Sequence, residues 1–416
     1  MRMTRVWRRL LGVERTVIES VGLESTGRGG ECLVAMVRPK LAYASRCSRC
    51  DRRCPGYDSS ADPRRWRGLD MGTTQVFLQY RTIRVACPEH GVVVASVPWA
   101  RPGSRFTTAF EDTAAWLVCH ATLSMVAVLL GIAWRSVEAI VTRVVATRAG
   151  QIDRLAGLRR IGIDEISYRK GHRFLLVVVD HDSGRMVWAG KDRTAATLRR
   201  FFDELGTDRA RALTHVSADG AEWIHTVVAE RAPTAVLCLD AFHVVAWATK
   251  ALDEVRRGLA AQLRRTGRAE QATTIKHTRW ALLKNPPDLT GDQRTTLAGI
   301  QADNGTLYRA YLLKEQLRMI FQADLPEARA LLAGWISWAQ RCRIPAFVRL
   351  AKTIKRFRTL ILNAVEHILS NARSEATNTH LRLLTRRAYG YHSPESLIAM
   401  ADLTRGGLCP PLPGRS

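Results

Sequence analysis

Acidic side chains are scarce in this chain: 38 Asp and Glu stand against 63 Lys and Arg, leaving a formal charge of +25 and an isoelectric point near 10.6. A positive excess of that size opposes compaction unless a polyanion offsets it, and nucleic acid is the usual one. A long apolar leader is also missing. The opening MRMTRVWRRLLGVER is cationic without the apolar stretch of a signal peptide, so export is not expected. One uncharged run, Thr113 to Trp134, is long enough to span a bilayer. It holds His120, Thr122, Ser124 and Gly131, however, and lies between Glu111–Asp112 and Arg135, a pattern that suits two short helices sharing a core. No internal repeats are visible. With 416 residues, 46% of them hydrophobic, the chain is long and apolar enough for two or three domains, expected in the cytoplasm, nucleoid-associated and away from membranes.

Cysteines are few, nine in all, but four of them, Cys47, Cys50, Cys54 and Cys87, crowd one short region. In a chain with no export signal such a cluster indicates metal binding rather than disulfides. Cys47-x-x-Cys50 and Cys87-x-x-His90 form two knuckles separated by strand-like sequence. Each tight turn presents two N/S ligands, and two turns complete the tetrahedron that one structural Zn²⁺ requires. Cys54 is a spare candidate ligand. Four protein ligands leave no open catalytic position.

The zinc ribbon belongs to a β-rich region over 1–104, in which apolar and polar residues alternate over short runs such as Thr16–Ile18, Cys32–Val37 and Val76–Leu78. Residues 105–150 turn helical. There Ala127 provides a small residue at a helix crossing, Gly131 a turn, and Val137 and Ile140 the apolar anchors of a second helix, as an all-α helix-turn-helix needs. Arg135, Ser136, Glu138, Ala139 and Arg143 are expected on the outer side of that helix, facing a DNA major groove.

From residue 158 onward, strands and helices alternate: IGID, RFLLVVVD, RMVWAG, a helix near Thr194–Leu205, THVSAD, a helix near Ala221–Ala232, and AVLCLD. This is the element order of an RNase H-like sheet. Asp164 ends the first strand and Asp219 ends the strand after the first helix, positions from which two carboxylates on adjacent strands bracket cations. Such a site needs a third carboxylate from a later helix, and Glu375 in ARSEATNTHLRLL is the candidate. Three carboxylates can hold two Mg²⁺ (or Mn²⁺) ions for an in-line phosphodiester displacement.

Over nearly its whole length the chain resembles the transposases of the ISL-three family of bacterial insertion sequences. The matching stretches are the CSRC…CPEHG knuckles, the helix-turn-helix, IGIDEISYRKGHRFLLVVVDHDSGRMVWAGKDRT, VSADGAEWI, LDAFHVVAWATKALDEVRR and SNARSEATNTHLRLLTRRAYGYHSPESL. The resemblance implies an RNase H-like DDE catalytic domain over 158–400 that uses divalent metal to cut transposon ends and join them to target DNA. Asp164 matches the first aspartate of that family and Glu375 its glutamate. Asp240–His243 match a C/D-x-x-H signature downstream of the second aspartate. For that second aspartate, strand order favours Asp219, with Asp240 and His243 as neighbouring groups that orient the site.

By the same resemblance, the helical stretch of about 244–369 is an insertion in the catalytic domain. It holds Arg341, Arg343, Arg349, Lys352, Lys355, Arg356 and Arg358 in a run without an acidic residue, which suits contact with DNA phosphates. Residues 401–416 are rich in Pro and Gly and are expected as a loose tail. The expected protein is a DNA transposase that binds the terminal inverted repeats of its element on double-stranded DNA, as a homodimer or higher oligomer. The competing reading is a transposase-derived regulator that binds DNA without chemistry.

Overall fold

The structure, a computed structural model, describes all residues except 1–2, 27–29, 170, 172, 370–371, 389–390, 392 and 415–416, and the side chains of 3–4 and 372–375 also lie outside the description. The chain divides into two units, Met1–Arg154 with Leu384–Ser416, and Leu155–Leu383.

The first unit opens with helix α1 (Met3–Leu10), which the alternating pattern does not reveal. Strands β1 (Thr16–Ser25), β2 (Glu31–Pro39), β3 (Gly56–Ser59), β4 (Arg64–Arg67), β5 (Gln75–Tyr80), β6 (Ile83–Cys87) and β7 (Gly91–Val94) follow. They form a four-stranded sheet of order β1-β2-β5-β4 and a small sheet of order β3-β6-β7. Period-two patterning sends Ile18, Ala35, Val37, Trp66 and Leu78 into one core. Helices α2 (Thr108–His120), α3 (Leu123–Leu130) and α4 (Trp134–Ala149) come next. Thr107 and Thr122 cap the first two through their side chains, which accept from the N–H groups of Phe110 and Met125. Gly131 ends α3 at φ +60°, in the left-handed region where a side chain is strained. The chain turns by 105° between α3 and α4, within the range of a helix-turn-helix. Among the described residues no single helix is long and apolar enough to cross a membrane.

The end of the chain is packed rather than loose. Helix Pro394–Thr404 lies against α2 and α4, presenting Leu397, Met400 and Leu403 as its apolar face. Asp402 pairs with Arg154, Leu408 is fully buried, and the Cys409 thiol sits 3.2 Å from that of Cys119 on α2. The segment expected as a loose tail over 401–416 thus begins inside a packed helix and closes the N-terminal unit through Leu403 and Leu408.

The second unit contains strands β8 (Arg160–Arg169), β9 (Arg173–Asp180), β10 (Met186–Lys191), β11 (His215–Ala218) and β12 (Val236–Leu239), with helices α5 (Ala195–Leu205), α6 (Thr207–Arg211) and α7 (Glu222–Arg231) between them. The strand order is β10-β9-β8-β11-β12. The first three strands pair antiparallel, and β8, β11 and β12 run parallel. Near-continuous apolar runs mark strands covered on both faces; Ile161, Leu176, Val178 and Val216 pack with Phe201 of α5 and Ile224 of α7. Between β9 and β10 the Asp180 carboxylate accepts the N–H groups of Asp182 and Ser183, and Gly184 takes φ +72° to close the hairpin.

Eight helices follow the sheet: α8 (Ala241–Arg265), α9 (Ala269–His277), α10 (Arg279–Leu283), α11 (Gly291–Asp303), α12 (Gly305–Met319), α13 (Leu325–Arg341), α14 (Pro345–Arg356) and α15 (Arg358–Glu366). They enclose a core of their own around Trp335 and Phe347, and the Trp335 indole donates to the Leu313 carbonyl at 2.7 Å. Helix α16 (Ala372–Arg387) then returns to the sheet.

Candidate catalytic and DNA-binding sites

The two knuckles meet beside the small sheet. The Arg49 N–H points at the Cys47 thiol at 3.4 Å, fixing the first turn, and the second is the β6–β7 hairpin, where Gly91 adopts φ +66°. Cys47, Cys50, Cys87 and His90 bring donor atoms within 4.8 Å of one another. His90 Nδ1 lies 3.7 Å from Cys47 Sγ and 3.5 Å from Cys87 Sγ, and the thiols of Cys50 and Cys87 are 3.7 Å apart. Burial pushes the Cys87 thiol up, but the N–H groups of Glu89 and His90 and the neighbouring thiols outweigh it and hold it at about 7. Three sulfurs and an imidazole at this spacing fit tetrahedral Zn²⁺. Cys54 is buried in the same cluster, bonds the Arg52 carbonyl, and falls outside the four-donor group.

In the second unit, strand register sets three aspartates in a row. Ser217 pairs with Gly162, which carries Asp219 level with Asp164; Ala218 pairs with Leu239, which carries Asp240 level with Asp219. The Asp240 N–H donates to the Ala218 carbonyl at 2.8 Å, extending the ladder to that row. Neighbouring strands lie about 4.8 Å apart, so three acidic side chains collect at one sheet edge.

Within this row the structure brings together Asp164, Asp240 and His243, whose donor atoms lie within 4.8 Å of one another. His243, in the first turn of α8, sets Nε2 3.8 Å from Asp164 Oδ1 and 3.6 Å from Asp240 Oδ2. The Asp164 carboxylate, with further help from Asp240 and Asp219 and against the effect of burial, raises the imidazole to about 9. Two carboxylates and an imidazole this close together are a donor set that a hard divalent cation can accept.

Asp219 does not join that group. Its Oδ1 accepts the Ala221 N–H at 2.9 Å, and its carbonyl accepts from His225 Nε2 at 2.8 Å. It is nonetheless half-exposed, whereas Asp240 is only 3% exposed and caps α8 by accepting the Phe242 N–H. Gly220 follows Asp219 without a side chain because a Cβ there would lie 2.7 Å from the Trp247 ring of α8. Burial raises the carboxyl of Glu165, next to Asp164, and the charge of Asp219 adds to this while Arg193 opposes it.

Glu375 lies in α16, and its side chain is outside the described residues. One turn further on, Asn378 Nδ2 donates to Asp164 Oδ2. Sequence reasoning missed this contact; the only signal was its spacing of three from Glu375, which puts the two residues on one helix face.

On α4, Val137 and Ile140 are fully buried, Arg135 is exposed and Ser136 half-buried. Arg143, expected to face DNA, is engaged elsewhere: its Nε donates at 2.8 Å to Glu111, a fully buried carboxylate also held by Ser104 at 2.7 Å and Arg101 at 3.2 Å. Removing Arg143 from that network would leave a buried charge short of a partner, so it serves the fold. On α14, Arg349, Lys352, Lys355 and Arg356 are all exposed, opposite buried Phe347, Leu350 and Ile354, and Arg358 opens α15 in the same exposed condition. Arg349 pairs with Glu254 and Arg356 with Glu222 at 2.8 Å, exposed pairs that phosphates can displace.

Three known families match successive stretches. Residues 44–90 match the zinc-finger of transposase IS204/IS1001/IS1096/IS1165, residues 95–145 the helix-turn-helix domain of transposase family ISL3, and residues 161–401 the transposase domain of that family. The transposase for insertion sequence element IS1557 of Mycobacterium tuberculosis is 51% identical over 436 aligned residues, covering 100% of this chain and 98% of the relative. The transposase for insertion sequence element IS1001 of Bordetella parapertussis is 27% identical over 395, covering 92% and 96%. A zinc ribbon, a helix-turn-helix and a transposase domain in this order define an insertion-sequence transposase. The chain belongs to the ISL3 family of these enzymes.

Proposed function

We propose that the second unit is an RNase H-like DDE domain that cuts the ends of its insertion sequence and joins them to target DNA with divalent metal, Mg²⁺ or Mn²⁺. The observation that carries this reading is the aspartate row at one sheet edge, with donor atoms of Asp164, Asp240 and His243 within 4.8 Å. Asp164 and Asp219, level with each other across adjacent parallel strands, are the strand-borne ligands, and Glu375 on α16 is the third carboxylate. When bound, two cations polarise the scissile phosphate and stabilise the charge on attacking and leaving oxygens. Asp240 stiffens the first turn of α8 and, with His243, orients the Asp164 carboxylate. His243 sets its Nε2 against the Asp164 and Asp240 carboxylates and would hold a proton there.

The first unit selects the DNA. Arg135 and Ser136 on α4 read the terminal inverted repeats in the major groove, and the zinc ribbon braces the fold. Arg349, Lys352, Lys355, Arg356 and Arg358 hold phosphates of double-stranded DNA near the cutting site. The protein works as a homodimer or higher oligomer on DNA, associated with the nucleoid in the cytoplasm. The test is incubation of the full chain with labelled transposon ends in Mg²⁺, Mn²⁺ or chelator. Metal-dependent cleavage and joining is the expected result; sequence-selective binding with no cleavage in either metal would instead make the protein a regulator.

A further inference from the structure

Asn378 touches the residue on which the chemistry turns. Its Nδ2 donates to Asp164 Oδ2, and the residue is only 5% exposed. Its carbonyl oxygen Oδ1 is buried and meets no hydrogen-bond partner among the described residues. Buried acceptors without a donor are uncommon and cost stability. Rotation of the carboxamide offers no remedy, because exchanging its two ends would set Oδ1 against the Asp164 carboxylate, acceptor against acceptor. The amide is therefore held with its donor on Asp164 and its acceptor without a partner among the described residues, on a buried helix face beside an acidic row. Amide carbonyl oxygens are ordinary ligands of hard divalent cations and acceptors from the waters such ions carry.

The geometry points to Asn378 as the residue that completes the cation site from the helical side: Nδ2 orients Asp164, and Oδ1 enters the shell of the cation that Asp164 holds, directly or through one bound water. The inference rests on the reading that Asp164 holds a divalent cation. It gives α16 a second contribution to the site, one turn after Glu375, and makes Asn378 a positioning residue for the shared aspartate.

The experiment titrates Mn²⁺ alone into full-length protein without DNA, following free Mn²⁺ by electron paramagnetic resonance. Asn378→Leu removes both polar ends at similar size, and loss of such a group from a metal site typically weakens binding about 10–100-fold. Asn378→Asp keeps an oxygen and should recover most of the affinity, a distinction that a purely structural role would not produce. Melting in chelator reports folding separately, and Asn378→Ser, whose oxygen is withdrawn, replaces the leucine variant if that one fails to fold. Asp164→Asn is the control. Wild-type affinity in Asn378→Leu, or in Asn378→Ser where it replaces it, with binding lost in Asp164→Asn, overturns the inference and leaves the cation site standing. Wild-type affinity in Asp164→Asn as well overturns the cation reading itself.

Discussion

The knuckle site takes its four donors from two short turns, Cys47–Cys50 and Cys87–His90, and its sulfurs lie beside a sheet of only three short strands. The acidic cluster takes its donors from the middle of β8, the residue after β12 and the first turn of α8, with Asn378 arriving from 214 residues beyond Asp164. In the first site an ion does work that a small core cannot do, so metal and fold stand or fall together. In the second, an apolar five-stranded sheet forces like charges together, and the fold keeps them there whether or not an ion is bound. The two sites therefore differ in what losing a ligand destroys: structure at the front, reactivity behind it.

The largest effect should follow loss of zinc. Structural zinc contributes on the order of 10 kcal/mol in small domains. Cys87→Ser should lower the zinc content from one ion per chain to none, melt the knuckle lobe and abolish binding to the transposon end, while most helical signal from the second unit survives. Zinc-free protein that still selects its end would erase the contrast between the sites.

Next come the strand-borne carboxylates. Asp164→Asn and Asp219→Asn should fold and bind DNA normally, yet lose cleavage by about 10³-fold or more, the equivalent of ~4 kcal/mol of charge stabilisation. Asp240→Asn and His243→Gln should cost less, about 10–100-fold. A labelled-end cleavage assay separates the two pairs. Inactive Asp240→Asn beside active Asp219→Asn would transfer the ligand role to Asp240 and leave Asp219 as a helix cap.

His243 adds a pH signature of smaller size. The Asp164 carboxylate raises it to about 9. Its contribution to the stability of metal-free protein is therefore full below its unfolded value near 6.5 and is lost as pH rises through about 9. Melts in chelator across that window should show the slope in wild type and not in His243→Gln; equal slopes would remove His243 from the acidic row.

The smallest effects distinguish reading from holding. Arg135→Ala should cost ~1–3 kcal/mol of end binding and relax sequence choice at one position. Neutralising Lys352 and Lys355 should weaken binding to every sequence and reduce the salt slope by roughly 0.9 per charge. Footprints and salt titrations of the two variants check both, and an unchanged slope would assign the α14 lysines to a merely solvated face.

Legibility in the sequence followed the same division. The knuckles could be read because each ligand pair lies within one turn, and Gly131 because a left-handed helix end favours glycine. The strands from IGID to AVLCLD were legible from their apolar runs and Asp219 from its place at a strand end, but Asp164, expected to end its strand, lies inside β8, which pairs with β9 through Arg169. Register was not legible, so nothing in the chain announced that Asp240 would stand level with both and lie within 4.8 Å of Asp164. Arg143 looked like an outward residue of α4 because its partner, Glu111, lies 32 residues away on α2 and its burial leaves no periodic trace. The segment after residue 400 is rich in proline and glycine, and the helix that carries it into the core begins before it, at Pro394.

The first unit is discontinuous along the chain: its strands and helix-turn-helix are made early, but the helix Pro394–Thr404 that packs on α2 and α4 is made late. On the ribosome, then, the DNA-binding half must wait with part of its apolar surface uncovered while the whole of the second unit is synthesised, and the acidic row waits as well for α16. The second unit is complete before the helix that closes the first is made. A frameshift or stop codon upstream of that last helix should therefore leave no fully packed DNA-binding fragment to compete for the ends, so that selection on end binding acts on the reading frame through its last helix.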